Sequence, residues 1–211
     1  MANLAEKHRA TSLDDIVGQE AVISKIKGVI ERDGLLGQAF WLSGPSGCGK
    51  TTTARILCDM VQPFWDRCEY DAKDVSRDLI RDIEERCRTA PIGCKGWGVT
   101  INEAHNLRGD ITERLLTTLE KPVVVKHSLW CFTTTDKDLF GDTPFGSRVD
   151  PLPFVGGEPL TLSWAIRLSQ IAKQENLDGQ SLEKYVDLFR RCQCNPRTAL
   201  RAIGRGEMLV S

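Results

Sequence analysis

The run Gly44-Pro45-Ser46-Gly47-Cys48-Gly49-Lys50-Thr51 constrains this chain more than any other stretch. It reads as a glycine, four free positions, then Gly-Lys-Thr, the pattern of a loop that wraps phosphate oxygens. Its glycines let backbone N–H groups converge on those oxygens with no Cβ in the way, and the start of the next helix adds the positive end of its dipole. Lys50 offers a point charge to β and γ phosphates, and the Thr51 hydroxyl is placed to ligate Mg²⁺. Residues 38–43 before the loop read as a buried strand, and Thr52 to Cys58 after it as a helix. That strand–loop–helix order is the context the motif requires, and it predicts an α/β fold.

The remaining pattern extends the alternation. Ala21 to Ile30 carries Val22, Ile23, Ile26, Val29 and Ile30 at helical spacing, and Gly34 and Gly37 end that helix before the first strand. Residues 67–70 form a short strand candidate. Asp74 to Arg88 places Val75, Leu79, Ile83 and Cys87 on one helical stripe, which makes its charged remainder a solvated face. Trp97 to Ile101 is a third strand, Asp110 to Glu120 a helix, Ser128 to Thr135 a fourth strand, and Val149 to Phe154 a fifth. From Leu160 the alternation stops. Three short helices follow, over residues 163–174, 181–192 and 196–204, the last opening on Pro196. The expected division is therefore an α/β domain over 1–158 and a small helical domain over 159–211.

A second site lies at the strand ends. Nucleotide hydrolysis on such a loop needs a polar group at the carboxyl end of a neighbouring strand to hold Mg²⁺, and a group to orient and deprotonate the attacking water. The third strand ends in Asn102-Glu103, so Asn102 is the metal-side candidate and Glu103 the base. An amide carries no charge to oppose a metal, yet its oxygen still accepts a hydrogen bond from a metal-bound water. The fourth strand closes on Thr133-Thr134-Thr135, any of which suits a γ-phosphate contact or β propensity alone. His105 receives no role.

Composition excludes several classes. With 27% charged residues and a net charge of −1, the chain has no global attraction to nucleic acid, and Lys25, Lys27, Arg108, Lys121 and Lys126 form no evident stripe. No apolar run approaches the ~20 residues of a membrane span, and Met1 to Ala10 lacks the apolar stretch of a signal peptide, so a cytoplasmic protein is expected. The eight cysteines show no paired spacing typical of zinc; free thiols are the reading, with a site from Cys68, Cys87 and Cys94 as the alternative.

Lys7 to Gln19, Gly44 to Leu57, Asn102 to Leu107, Leu115 to Pro122, Thr133 to Thr135, Ser147-Arg148 and Asn195-Pro196-Arg197 together resemble an AAA+ ATPase of the clamp-loader group. The likeness is to bacterial DNA polymerase III gamma/tau and replication factor C small subunits, and it covers nearly the whole chain in the family's order. It implies a P-loop fold with a five-stranded parallel sheet of order 5-1-4-3-2 and a three-helix lid, binding ATP and Mg²⁺. Ile16, Val17, Gly18 and Gln19 would match the adenine-side box. Pro45, Ser46, Gly47, Cys48, Gly49, Lys50, Thr51 and Thr52 fall in the Walker A region, and Asn102-Glu103 would match Walker B. Thr134 would match the first sensor and Arg197 the second. Arg148 would match the arginine that acts in trans on a neighbour's γ-phosphate, giving slow, partner-stimulated ATP hydrolysis.

The partners so implied are other AAA+ subunits, DNA and a sliding clamp or other DNA-processing protein. The chain departs from the family in three places: Val149 replaces a cysteine, Asn102 replaces an aspartate, and no four-cysteine insertion follows Cys58. It also ends at Ser211, without the collar-forming third domain of full clamp loaders. Two other readings stay open, an ATP-binding scaffold that does not turn ATP over and an AAA+ regulator of transposition or recombination.

Overall fold

A computed structural model describes residues 3–62, 68–136 and 144–209. Its elements follow the expected alternation: helix α1 (Leu4–Lys7), α2 (Glu20–Arg32), strand β1 (Ala39–Ser43), α3 (Lys50–Asp59), β2 (Cys68–Asp71), α4 (Arg77–Arg86), β3 (Trp97–Asn102), α5 (Gly109–Leu119), α6 (Pro122–Val125), β4 (Ser128–Thr134), β5 (Asp150–Pro153), α7 (Thr161–Gln174), α8 (Leu182–Arg191) and α9 (Pro196–Gly204). Arg67, the expected first residue of β2, lies outside the described residues. All five strands are parallel and ordered β2-β3-β4-β1-β5, the expected order read from the other edge.

The chain divides into two compact units, one of Ser24–Gly44 and Lys50–Pro153, the other of Met1–Ile23, Pro45–Gly49 and Phe154–Ser211. The first holds the whole sheet. Every residue of β4 is buried, as a central parallel strand covered on both faces must be. Trp41, Trp130, Phe132 and Phe145 pack together, Phe132 meeting Phe145 edge-on at 5.2 Å between centroids. Val149, standing where relatives of the expected family carry cysteine, is 8% exposed and joins this core, so an aliphatic side chain suits the place. Gln62 fixes the start of β3: its buried amide accepts from Gly98 N at 2.7 Å and donates to Gly98 O at 3.4 Å.

The charged face expected on α4 is only partly solvated. The helix starts at Arg77, capped by Ser76, so Val75 stands outside it and Ile80, Ile83 and Glu84 form its buried side. Glu84 takes Lys121 and Arg114, each at 2.7 Å, and the Thr118 hydroxyl. Those partners come from α5 and from Lys121, two residues past its end, more than two dozen positions away in sequence. Burial alone would raise the Glu84 carboxyl, but the Lys121 and Thr118 hydrogen bonds and the two cations hold it below the usual 4.5.

In the second unit, α7, α8 and α9 bury Leu168, Ile171, Tyr185, Phe189, Ala199 and Ile203 against one another. Leu4 of α1 joins that core, and Lys7 and His8 meet the Glu175 carboxylate at 2.7 and 2.6 Å. The N-terminal segment is thus packed on the helices of the chain's end. Asn195 caps α9, accepting from Arg197 N at 3.0 Å, with Pro196 at a first-turn position that needs no donor.

Candidate functional site

In open parallel sheets, ligands gather outside the carboxyl ends of the strands where the order reverses. Here that point lies between β1 and β4, paired as Ser43 with Thr134, and Gly44 N, the first amide of the glycine loop, donates to Thr134 O at 3.2 Å. Lys50 opens α3; its ammonium donates to Gly44 O at 2.7 Å, and the residue is 6% exposed. One helical position on, Thr51 Oγ1 donates to Asn102 Oδ1 at 3.2 Å, and Thr133 Oγ1 donates to the same oxygen at 2.9 Å. Asn102, at the end of β3, therefore gathers hydroxyls from α3 and β4 on one amide oxygen. Its Nδ2 donates to Glu69 Oε1 of β2 at 2.9 Å, and Arg55 of α3 holds Glu69 through Nε at 2.8 Å and Nη2 at 3.0 Å.

Thr133 and Thr134 point to opposite faces of β4, as successive strand residues do. Thr134 Oγ1 meets His105 Nδ1 at 3.1 Å and accepts from Asp136 N at 3.0 Å. His105 Nδ1 in turn lies 3.6 Å from Glu103 Oε2. So the structure brings Thr133 to Asn102, and Thr134 to His105, which itself lies near Glu103. His105 is the group sequence reading passed over; only its spacing two residues past Glu103 could have flagged it. Glu103 adopts φ 53°, ψ 44°, a left-handed conformation a non-glycine residue enters at a cost of about 1–3 kcal/mol, and such strain clusters at functional sites.

Arg148 stands apart from these groups, exposed in a short turn before β5. Its Nε and Nη2 donate to Glu120 Oε1 at 3.1 and 2.7 Å, and its Nη1 to Ser147 Oγ at 2.9 Å.

Residues 45–49 of the loop belong to the other compact unit. Gly47 and Gly49 have φ of 82° and 108°, which L side chains rarely adopt, and a Cβ on Gly47 would stand 3.0 Å from Asn195 Oδ1. Pro45 and Ser46 are exposed and Cys48 is buried. Gln19 is 2% exposed: its amide donates to Val155 O at 2.7 Å and Cys48 O at 3.4 Å and accepts from Val155 N at 3.0 Å. It clamps backbone, tying the 16–19 segment to the loop. Ile16 lies against Gly49, Gly18 stands under the Leu160 side chain, and Val17 is half-buried between them in sequence. A cavity of about 170 Å³ is lined by Pro45, Cys48, Gly156, Leu160, Trp164 and Cys194 among others. Arg197 is exposed on the first turn of α9, two residues past Asn195. Thr52, the remaining candidate, is half-buried on α3.

The donor set suits a hard cation with a nucleotide: Thr51, Asn102 and Thr133 offer only oxygen, and Mg²⁺ typically takes few protein ligands alongside phosphates and waters. Among the described residues no group of three or more His, Cys, Asp or Glu side chains is arranged for a metal, and no disulfide joins the cysteines. Burial beside Cys68 pushes the Cys87 thiol up to about 12, far from the thiolate a zinc site uses. No helix among the described residues is long and apolar enough to cross a membrane.

A family model described as ABC transporter matches residues 35–115, a span that starts before β1, ends within α5 and includes the glycine loop and the Asn102-Glu103 strand end. The replication factor C small subunit of Archaeoglobus fulgidus is 39% identical over 121 residues, 54% of this chain and 37% of that protein. That of Methanothermobacter thermautotrophicus is 29% identical over 191 residues, 83% and 54%. DNA polymerase III subunit gamma/tau of Mycobacterium bovis is 28% identical over 199 residues, 82% and 33%. The chain thus spans about half or less of these relatives. Among solved structures, the Thermotoga maritima RuvB Holliday junction branch migration motor shares the fold, with a TM-score of 0.72 at 22% identity over 93% of this chain and 64% of that one.

Proposed function

We propose that the chain is an AAA-type ATPase domain related to the clamp-loader family, and that it binds and hydrolyses ATP as one subunit of an oligomeric DNA replication or repair assembly. The observation that carries the reading is the convergence of Thr51, Asn102 and Thr133 on one oxygen beside the glycine loop, with Glu103 next in the chain. Residues 1–158 act as the nucleotide-binding domain and 159–211 as the lid.

Each proposed role follows from a group's chemistry. Backbone amides of residues 45–49 and the Lys50 ammonium hold the phosphates; Thr51, and Asn102 through water, would hold Mg²⁺, which would supply positive charge against that of the phosphates. Glu103 orients and deprotonates the attacking water. Thr134, linked to Glu103 through His105, senses the γ-phosphate, and Arg197 senses it from the lid. Ile16 to Gln19 shape the adenine side, Gln19 by holding Val155 and Cys48 in place. Arg148 serves a neighbouring subunit, because an arginine supplied from outside is worth about 10³ to 10⁵ in rate. Turnover of the isolated chain is therefore slow and rises with partners, in the cytoplasm, on DNA, with a sliding clamp or similar client.

The decisive measurement is ATP affinity in magnesium buffer together with ATPase rate, with and without primed DNA and partner AAA+ subunits. Binding by the chain alone and hydrolysis that rises on assembly are expected; no affinity for adenine nucleotides overturns the reading. One observation favours a second reading. Asn102 puts an uncharged side chain where a carboxylate opposes the metal in relatives, so ATP binding without turnover, even in the full mixture, would make this a nucleotide-gated scaffold subunit.

A further inference from the structure

Asn102 poses a problem that an aspartate would not. A carboxylate presents two equivalent oxygens, whereas an amide presents an oxygen on one side and an NH₂ on the other, and only the oxygen is of use toward a metal or its waters. An Asn turned the wrong way would aim two donors at Thr51 and at the cation. Something must set its direction.

We propose that Glu69, locked by Arg55, is the positioning residue that turns the Asn102 amide oxygen toward Thr51 and the metal side. Glu69 Oε1 lies 2.9 Å from Asn102 Nδ2, and an ionised carboxylate accepts hydrogen bonds without donating any, so only the NH₂ of Asn102 can face it. Arg55 grips both carboxylate oxygens, at 2.8 and 3.0 Å, which fixes the Glu69 rotamer. With the NH₂ committed to Glu69, Oδ1 is left to receive Thr51 at 3.2 Å and Thr133 at 2.9 Å. The parallel register explains the reach: Asp71 pairs with Asn102, so Glu69 stands two residues back on β2, on the same sheet face as Asn102. A neutral amide thereby borrows its direction from a carboxylate one strand away. The proposal rests on the nucleotide reading above for the use of that oxygen, but the orientation itself does not.

The test is a double-mutant cycle on the whole chain, Glu69→Ala and Asn102→Asp singly and together, read as the Mg²⁺ concentration that half-saturates tightening of a fluorescent ADP analogue. In the Asn102 background, Glu69→Ala should raise that concentration by about tenfold or more, the usual effect of removing a partner that orients a ligand, while affinity in EDTA changes less than about twofold. In the Asn102→Asp background the same change should leave it unaltered or improve it, since two equivalent oxygens need no orienting and Glu69 becomes a like charge. Equal weakening in both backgrounds overturns the inference. Glu69→Met keeps about the same volume, offers no oxygen acceptor to Asn102, and carries the same test if the alanine variant does not fold. A second readout needs no nucleotide: the Asn102 side-chain NH₂ resonances of the free protein should shift and exchange faster in Glu69→Ala. If they do not move, Glu69 does not orient the amide. A wild-type chain that binds no nucleotide sinks the ATPase reading, and these resonances still decide the role of Glu69.

Discussion

The groups at the carboxyl ends of β1, β3 and β4 and the Arg148 guanidinium belong to one compact unit, yet they are held in opposite ways. Lys50, Thr133 and Thr134 are at most 6% exposed, and Asn102 is fixed on both sides of its amide. Arg148 has a side chain 45% exposed and lies on Glu120, itself 47% exposed. The first set is oriented in advance, and preorganised polar groups need no reorganisation when charge develops. The second is tethered by a surface ion pair worth about 0–1 kcal/mol, which a stronger anion can replace. On the proposed reading, the groups that serve the chain's own nucleotide are the locked ones, and the group meant for a neighbour's is the loose one.

The largest expected effect follows from that contrast. Arg148→Ala should lower ATPase of the assembled state by about 10³- to 10⁵-fold, measured with partner subunits and DNA, while nucleotide affinity of the isolated chain stays within about twofold. Equal loss of affinity in the isolated chain would break the comparison, because Arg148 would then act on its own nucleotide. Next is Glu103→Gln. Single-turnover hydrolysis should fall by about 10²- to 10⁴-fold with ATP still bound, as expected when a general base is removed from an otherwise intact site. Retained turnover would move the base to another group, with His105, 3.6 Å away, the first to examine.

The same contrast explains what the sequence made legible. Local rules carried the alternation of elements, the glycine loop and the capped α9, because each is written within a few residues. They also carried the strand order, through the family likeness. What they missed was assembled from afar. Glu84 reads as one more charge on a solvated face until Arg114, Thr118 and Lys121 arrive from across the fold. Asn102 reads as a weakened aspartate until Glu69 and Arg55 give its amide a direction. Three threonines in a row fix a period of two but leave open which face meets Asn102, and packing puts Thr133 there. Gln19, matched to the adenine-side box by resemblance alone, holds the backbone of Val155 and Cys48, contacts that no local pattern announces.

Glu84 sharpens the comparison by placing the same carboxylate chemistry under cover. Its side chain is 6% exposed, and Glu84→Gln should destabilise the unit by about 2 kcal/mol at pH 7, the scale of a lost hydrogen bond to a charged group, followed by thermal unfolding. The sign with pH follows from its carboxyl being held below the usual 4.5. The folded state favours the ionised form, so the contribution is full above about 4.5 and is lost as pH falls through the lower folded value. The gap in Tm between wild type and variant should close on acidification through that window. A gap that stayed constant down to pH 3 would mean that packing, and not charge, holds this place.

Glu120→Ala removes the exposed counterpart, and it should do the least. With both side chains nearly half exposed, the lost pair should change stability by less than about 1 kcal/mol, a shift in Tm of no more than about 2–4 °C, and the shift should shrink further in added salt. What it should alter is availability. Freed from Glu120, Arg148 keeps its bond to Ser147 Oγ and has no carboxylate to leave before it meets an anion on a neighbour, so assembled ATPase at limiting subunit concentration should hold or rise. A large loss of stability would show that Glu120 and Arg148 are structural partners like Glu84 and Lys121, and the distinction between locked and loose groups would fail at the residue on which it most depends.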